Sequence, residues 1–129
     1  MAQRIWKTFS VIEQIHISAC MGASTAAEDE ADLDKVWFDV KAFEAFAKGY
    51  LSEMQEALTT TEIELLPFSV KLMTYENGIR FMTDYLNGDT YFKIQHEHHN
   101  LDRARNQFKL VRDIADKENI LTEIIERTL

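Results

Sequence analysis

Apolar residues recur at helical spacing along most of the chain, and the longest such run is residues 65–92, LLPFSVKLMTYENGIRFMTDYLNGDTYF. Phe68, Leu72, Tyr75, Ile79, Met82 and Leu86 return at steps of three and four, while Leu66, Val70, Met73, Phe81 and Tyr85 widen the apolar band toward the whole circumference. The pattern predicts a long helix that is buried on most sides. Glu76, Arg80 and Asp84 fall four residues apart on one narrow stripe of it. As a surface ladder each i,i+4 pair would add about 0.2–0.5 kcal/mol. On a helix otherwise clothed in Phe, Met, Leu and Tyr, the same stripe would line a wet groove, because an unpaired buried charge costs several kcal/mol.

The remaining elements follow in order. Residues 4–20 place Ile5, Phe9, Ile12 and either Ile15 or His16 on one side, which fits an amphipathic helix, although Val11, Ile12, Ile15 and Ile17 also fit a short strand. His16 reads as a packing histidine and Cys20 as a small apolar filler. Residues 22–35, GASTAAEDEADLDK, read as a solvated acidic loop; the spacing lacks the order of an EF-hand calcium loop. Asp39 is a good N-cap for a helix running to Leu58 with Val40, Phe43, Phe46, Ala47, Tyr50, Leu51 and Met54 on its apolar face. Thr61 and Glu64 form a capping box for the next helix, and Pro67 falls in its first turns or marks a kink before the long one. Asn87 and Gly88 supply a left-handed C-cap, followed by a short turn through Phe92. Asn100 N-caps a helix whose buried face is Leu101, Ala104, Phe108, Val111 and Ala115, and a separate last helix spans residues 117–127. Arg103, Arg105, Lys109 and Arg112 lie mostly off that face and are expected to pair with acidic neighbours.

One proline and four glycines in 129 residues leave few strand-turn signals, so the class is all-α. Twenty-two acidic against fourteen basic residues give a formal net charge of −8, which opposes contact with a phosphate backbone and argues against nucleic acid as a partner. No window approaches a membrane-spanning length and no secretory leader pattern stands at the N-terminus, so the expectation is no membrane and a cytoplasmic location. A single cysteine excludes an intrachain disulfide. His96, Glu97, His98 and His99 are the one dense cluster of candidate ligands, but their spacing matches no zinc motif, and no metal role is assigned to them. Phosphate-binding glycine loops and nucleophile elbows are absent.

Four stretches carry a resemblance to a known family: residues 25–36 (TAAEDEADLDKV), 43–51 (FEAFAKGYL), 64–93 (ELLPFSVKLMTYENGIRFMTDYLNGDTYFK) and 99–110 (HNLDRARNQFKL). From Gly22 onward the chain resembles the C-terminal helical part of bacterial phosphotransferases of the aminoglycoside phosphotransferase and choline kinase superfamily, nearest to the N-acetylhexosamine 1-kinase branch. The resemblance implies a two-lobed enzyme that moves the γ-phosphate of ATP, with magnesium, onto the anomeric hydroxyl of N-acetylglucosamine or N-acetylgalactosamine. It implies that the C-terminal helices wall the sugar pocket and that Arg80 and Tyr91 reach the sugar. A fork of donors on Arg80 suits sugar hydroxyls, with Glu76 and Asp84 holding its rotamer or accepting from hydroxyls themselves. Tyr91 adds a hydroxyl and an aromatic face.

The family's nucleotide lobe, catalytic Asp and magnesium motif would lie upstream of Gly22, where this sequence has 21 residues that do not contain them. The expectation is therefore an all-α C-terminal subdomain of about four to five helices at residues 22–129, preceded by a non-native or frame-shifted start at residues 1–21. Such a piece has no catalytic or metal residues of its own and no cofactor, with ATP and magnesium belonging to the complete enzyme. The other reading is a stand-alone helical interaction module. Under either, apolar surface left exposed would favour self-association.

Overall fold

The computed structural model describes residues 23–129, so the readings of residues 4–20, of His16 and of Cys20 fall outside the described residues. Four α-helices are described: α1 (Val40–Met54), the short α2 (Thr60–Glu64), α3 (Leu66–Leu86) and α4 (His99–Thr128), with single 3-10 turns at Leu33–Lys35 and Gln55–Ala57. Asp39 caps α1 as its residue type predicts, its carboxylate accepting the amides of Lys41 and Ala42. The capping box lies two residues earlier than the sequence suggests. Thr59 accepts from the Glu62 amide while the Glu62 carboxylate accepts from the amide and hydroxyl of Thr59. Threonines at 59, 60 and 61 make the two registers indistinguishable by residue type. Pro67 sits in the first turn of α3, where its missing N–H leaves no helical bond unmade.

The frame is an antiparallel pair of long helices. α4 is 30 residues, about 45 Å, and it is one helix where the sequence suggested two. Asp116, Lys117 and Glu118 interrupt the apolar pattern without a helix breaker, so the backbone continues through them. α3 runs back along it: Asp84 meets Asn100 at one end, Gly78 meets the Phe108 ring in the middle, and Lys71 pairs with Glu118 at 2.7 Å toward the other. α1 lies against the C-terminal half of α4, where Phe43, Ala47 and Leu51 join Leu110, Ile114, Leu121, Ile124 and Ile125 with Ile63, Leu66 and Val70 in the main core.

The structure reverses one expectation about α3. The row Phe68, Leu72, Tyr75, Ile79 and Leu86, expected to be buried, is exposed, and the inward face is Leu66, Ser69, Val70, Met73, Thr74, Gly78, Phe81 and Asp84. The physical reason is approach distance. Small residues on the inward face admit α4 closely, and a Cβ built on Gly78 would stand 2.6 Å from the Phe108 ring. The hydroxyls of Ser69 and Thr74 bond to carbonyls of their own helix, at Leu66 and Val70, so their burial leaves no donor unmet.

The acidic segment is also less free than its composition implies. Buried Asn106 donates to the carbonyls of Ala27 and Glu30, His99 bonds to Asp29, and Arg103 lies 3.8 Å from Glu28. Residues 23–39 then join the core by a bridge between Ser24 and Phe38 and by Asp113, which accepts both the Phe38 amide and the Lys117 ammonium. Among the described residues no helix is long and apolar enough to cross a membrane.

Candidate functional site

The C-terminal end of α3 and the segment after it form a cleft of about 450 Å³ lined by Ile79, Arg80, Thr83, Asp84, Asn87, Thr90, Tyr91 and Phe92. Its shape is set by a chain reversal. Gly88 at φ 91° and Asp89 at φ 60° put two successive residues in the left-handed region, which glycine enters freely and aspartate more readily than most residues. The Asp89 amide then donates to the Asp84 carbonyl at 2.8 Å, and residues 90–92 fold back over the last two turns of α3.

Asp84 holds that segment in place. One carboxylate oxygen accepts the amides of Thr90 and Tyr91 at 3.0 and 2.8 Å; the other accepts the Phe92 amide at 3.0 Å and the Asn100 side-chain amide at 2.7 Å. The side chain is buried, at 5% exposure. Burial alone would push its carboxyl up, but the Phe92, Tyr91 and Thr90 amides with Asn100 outweigh that and hold it below the ordinary value of 3.8. Four donors fill the roughly four acceptor positions of a carboxylate. Asp84 therefore has no lone pair left for a sugar hydroxyl, and no bond to Arg80 is formed. The role expected of it as a hydroxyl acceptor or rotamer clamp gives way to that of a loop anchor.

Asn100 is part of the same anchor. It does not cap α4, where His98 takes the cap position without a side-chain bond. Fully buried in the first turn, its amide bridges Asp84 and Asp89, and its carbonyl accepts from Arg103 at 2.9 Å, which also reaches the Lys93 carbonyl at 3.1 Å. Its residue type suits a helix cap, but its partner, Asp84, lies sixteen residues back on another helix.

Arg80 is exposed along the cleft wall, and its guanidinium sits over the rings of Phe92 and Tyr91, 5.4 and 6.0 Å from their centroids. Phe92 packs on Phe81 and on Tyr91, with centroids 4.8 and 4.9 Å apart, and the Arg103 guanidinium lies over the Phe81 ring at 5.6 Å. Stacking on a ring restrains a guanidinium while leaving its in-plane N–H groups open. Of the four residues singled out from sequence, the structure gathers Arg80, Asp84 and Tyr91 around one cleft. Glu76 is exposed and lies outside the lining. Phe92, Thr90 and Asn87 were missed, because their place in the site depends on the chain reversal and not on any residue pattern.

The histidine cluster has separate partners. His99 accepts the Gln95 amide on Nδ1, so Nε2 carries the hydrogen and donates to Asp29 at 2.9 Å, a bond that leads in holding the Asp29 carboxyl below its ordinary range. His98 bonds to the Tyr85 hydroxyl at 3.1 Å, and His96 stacks on His99. Among the described residues no group of three or more His, Cys, Asp or Glu side chains is arranged to hold a metal ion. Compared with models of known protein families, the chain matches none.

Proposed function

We propose that the cleft binds a hexosamine, and that the chain is the sugar-binding helical part of an N-acetylhexosamine 1-kinase-like phosphotransferase whose ATP and magnesium are handled by other residues. The observation that carries this reading is Arg80 laid over Tyr91 and Phe92 along a cleft of about 450 Å³. Planar donors suit vicinal hydroxyls and an acetamido carbonyl. Exposed Tyr91 offers a ring face to the apolar side of a pyranose and a hydroxyl that can donate or accept. The volume lies within the usual range for small-molecule sites. Asp84 and Asn100 serve the site by fixing where Tyr91 and Phe92 stand, so the cleft is formed before a ligand arrives.

Calorimetric titration of the purified chain with N-acetylglucosamine and with N-acetylgalactosamine tests the reading. Saturable binding of at least one, with Kd on the order of 1 mM and weaker binding of glucose, supports it. No heat from either sugar at tens of millimolar overturns it. A second reading, a free-standing helical interaction module, draws on a different observation, the exposed apolar row of α3.

A further inference from the structure

A continuous apolar row runs along the outer side of α3, beside exposed Glu76, Arg80 and Thr83. Leu65, Phe68, Leu72, Tyr75 and Ile79 are each 43–48% exposed and Leu86 is 75% exposed, with half-buried Met82 at the one position left in the series. The intervals are three, four, three, four, three and four residues, the a and d spacing of a heptad seam. A helix that only backs onto its own core turns polar residues outward. α3 has two apolar faces; α4 fills the inner one and touches the outer row where Phe108 packs on Tyr75.

We propose that a second copy of this chain covers the outer face, α3 against α3, antiparallel about a two-fold axis beside Asn77. The seam is self-complementary in that arrangement. An axis there sets Leu72 opposite the partner's Met82, Tyr75 opposite the partner's Ile79 and Phe68 opposite the partner's Leu86, and each layer is repeated by symmetry as an isologous interface requires. No seam position is charged, so none has to be desolvated without a partner. The antiparallel sense also places the helix dipoles head to tail. The six paired side chains, of roughly 200 Å² each and about half exposed, supply roughly 600 Å² per copy, and the resulting total clears the roughly 1,000 Å² expected of a biological interface. A net charge of −8 on each copy opposes approach, so association tightens as salt screens it. The seam shares only Ile79 with the cleft lining.

Sedimentation equilibrium between about 1 and 200 µM tests the proposal. The mass is expected to rise from 15.0 kDa to twice that value, more readily at high salt. The double variant Phe68→Glu, Leu72→Glu, both residues outside the cleft, should stay at the monomer mass with an unchanged circular dichroism spectrum and a Tm that, unlike that of the wild type, does not rise with protein concentration. Register is read by mixing Leu72→Cys and Met82→Cys variants in a Cys20→Ser background, where oxidation should link position 72 of one copy to position 82 of the other. A constant 15.0 kDa, a dimer indifferent to the glutamates, or cross-linking of 72 to 72 overturns the proposal. So does a wild type that dimerises only after residues 1–22 are removed, which would assign the face to that segment.

Discussion

Asp84 and Asn100 meet at 2.7 Å across the interface of two helices, and through that contact the fold controls the cleft. The carboxylate that accepts Asn100 also accepts three consecutive amides of the segment carrying Tyr91 and Phe92. One buried ionised group thus ties the start of α4, the end of α3 and the aromatic wall together. Hydrogen bonds to a charged acceptor are about twice as strong as neutral ones.

Asp84→Asn should loosen the segment while leaving the helices in place. The amide keeps the shape but has one accepting oxygen, and its NH₂ group faces donors. The expected outcome is a fall of about tenfold or more in amide exchange protection at Thr90, Tyr91 and Phe92, with α1 and the C-terminal half of α4 unchanged. Hydrogen exchange followed by NMR measures this directly. Unchanged protection at those three amides would contradict the anchor role.

The same contact sets a pH dependence. Because the folded-state carboxyl of Asp84 lies below the ordinary 3.8, the unfolded chain takes up its proton first as pH falls. The stabilisation is complete above pH 3.8 and is lost as pH drops through the lower folded value. Asp29 shifts in the same direction through His99, so acid unfolding should not be assigned to Asp84 alone. The check is to compare wild type and Asp84→Asn. Their stability difference should be constant near neutral pH and shrink below 3.8; a gap that widens on acidification would have the wrong sign.

Gly78→Ala tests the close approach of α3 and α4. The new Cβ would lie 2.6 and 2.9 Å from Phe108 Cε1 and Cδ1, and Phe108 is itself packed on Tyr75 with ring centroids 6.1 Å apart. Overpacking costs about 1–3 kcal/mol, while the better helix propensity of alanine returns about 1 kcal/mol. A net loss of about 1 kcal/mol is expected in chemical denaturation. In a Phe108→Leu background the substitution should become neutral or stabilising, and equal effects in both backgrounds would rule out the clash as the cause.

Much of the fold was legible in the sequence because helix formation here is written locally. Asp39 as an N-cap, Pro67 in a first turn, and Gly88 at a left-handed position are each decided by the chemistry of one residue and its neighbours. The choice between the two apolar faces of α3 was not local. Hydrophobicity favours the Phe68, Leu72, Tyr75 row, but the packing follows Gly78, Thr74 and Ser69, whose small size matters only once α4 is in place. The cleft was legible in the same partial way. Arg80 and Tyr91 could be named from the resemblance, but the closing of Asp84 by four donors comes from residues 90–92 and Asn100, and no spacing rule announces it. Glu76 shows the limit of a ladder drawn at four-residue steps. Each step turns the helix a further 40°, so one end of the ladder faces solvent and the other the core.

The proposed hexosamine site of Arg80, Tyr91 and Phe92 is tested by titrating N-acetylglucosamine and N-acetylgalactosamine and following amide and arginine side-chain chemical shifts. Saturable shifts are expected at Arg80, Thr90, Tyr91 and Phe92, with binding at least tenfold weaker in Arg80→Ala, corresponding to about 1.4 kcal/mol. Arg80→Lys should recover little, because an ammonium lacks the planar fork. Shifts that saturate elsewhere on the chain, or an Arg80→Ala variant that binds as well as wild type, would contradict it.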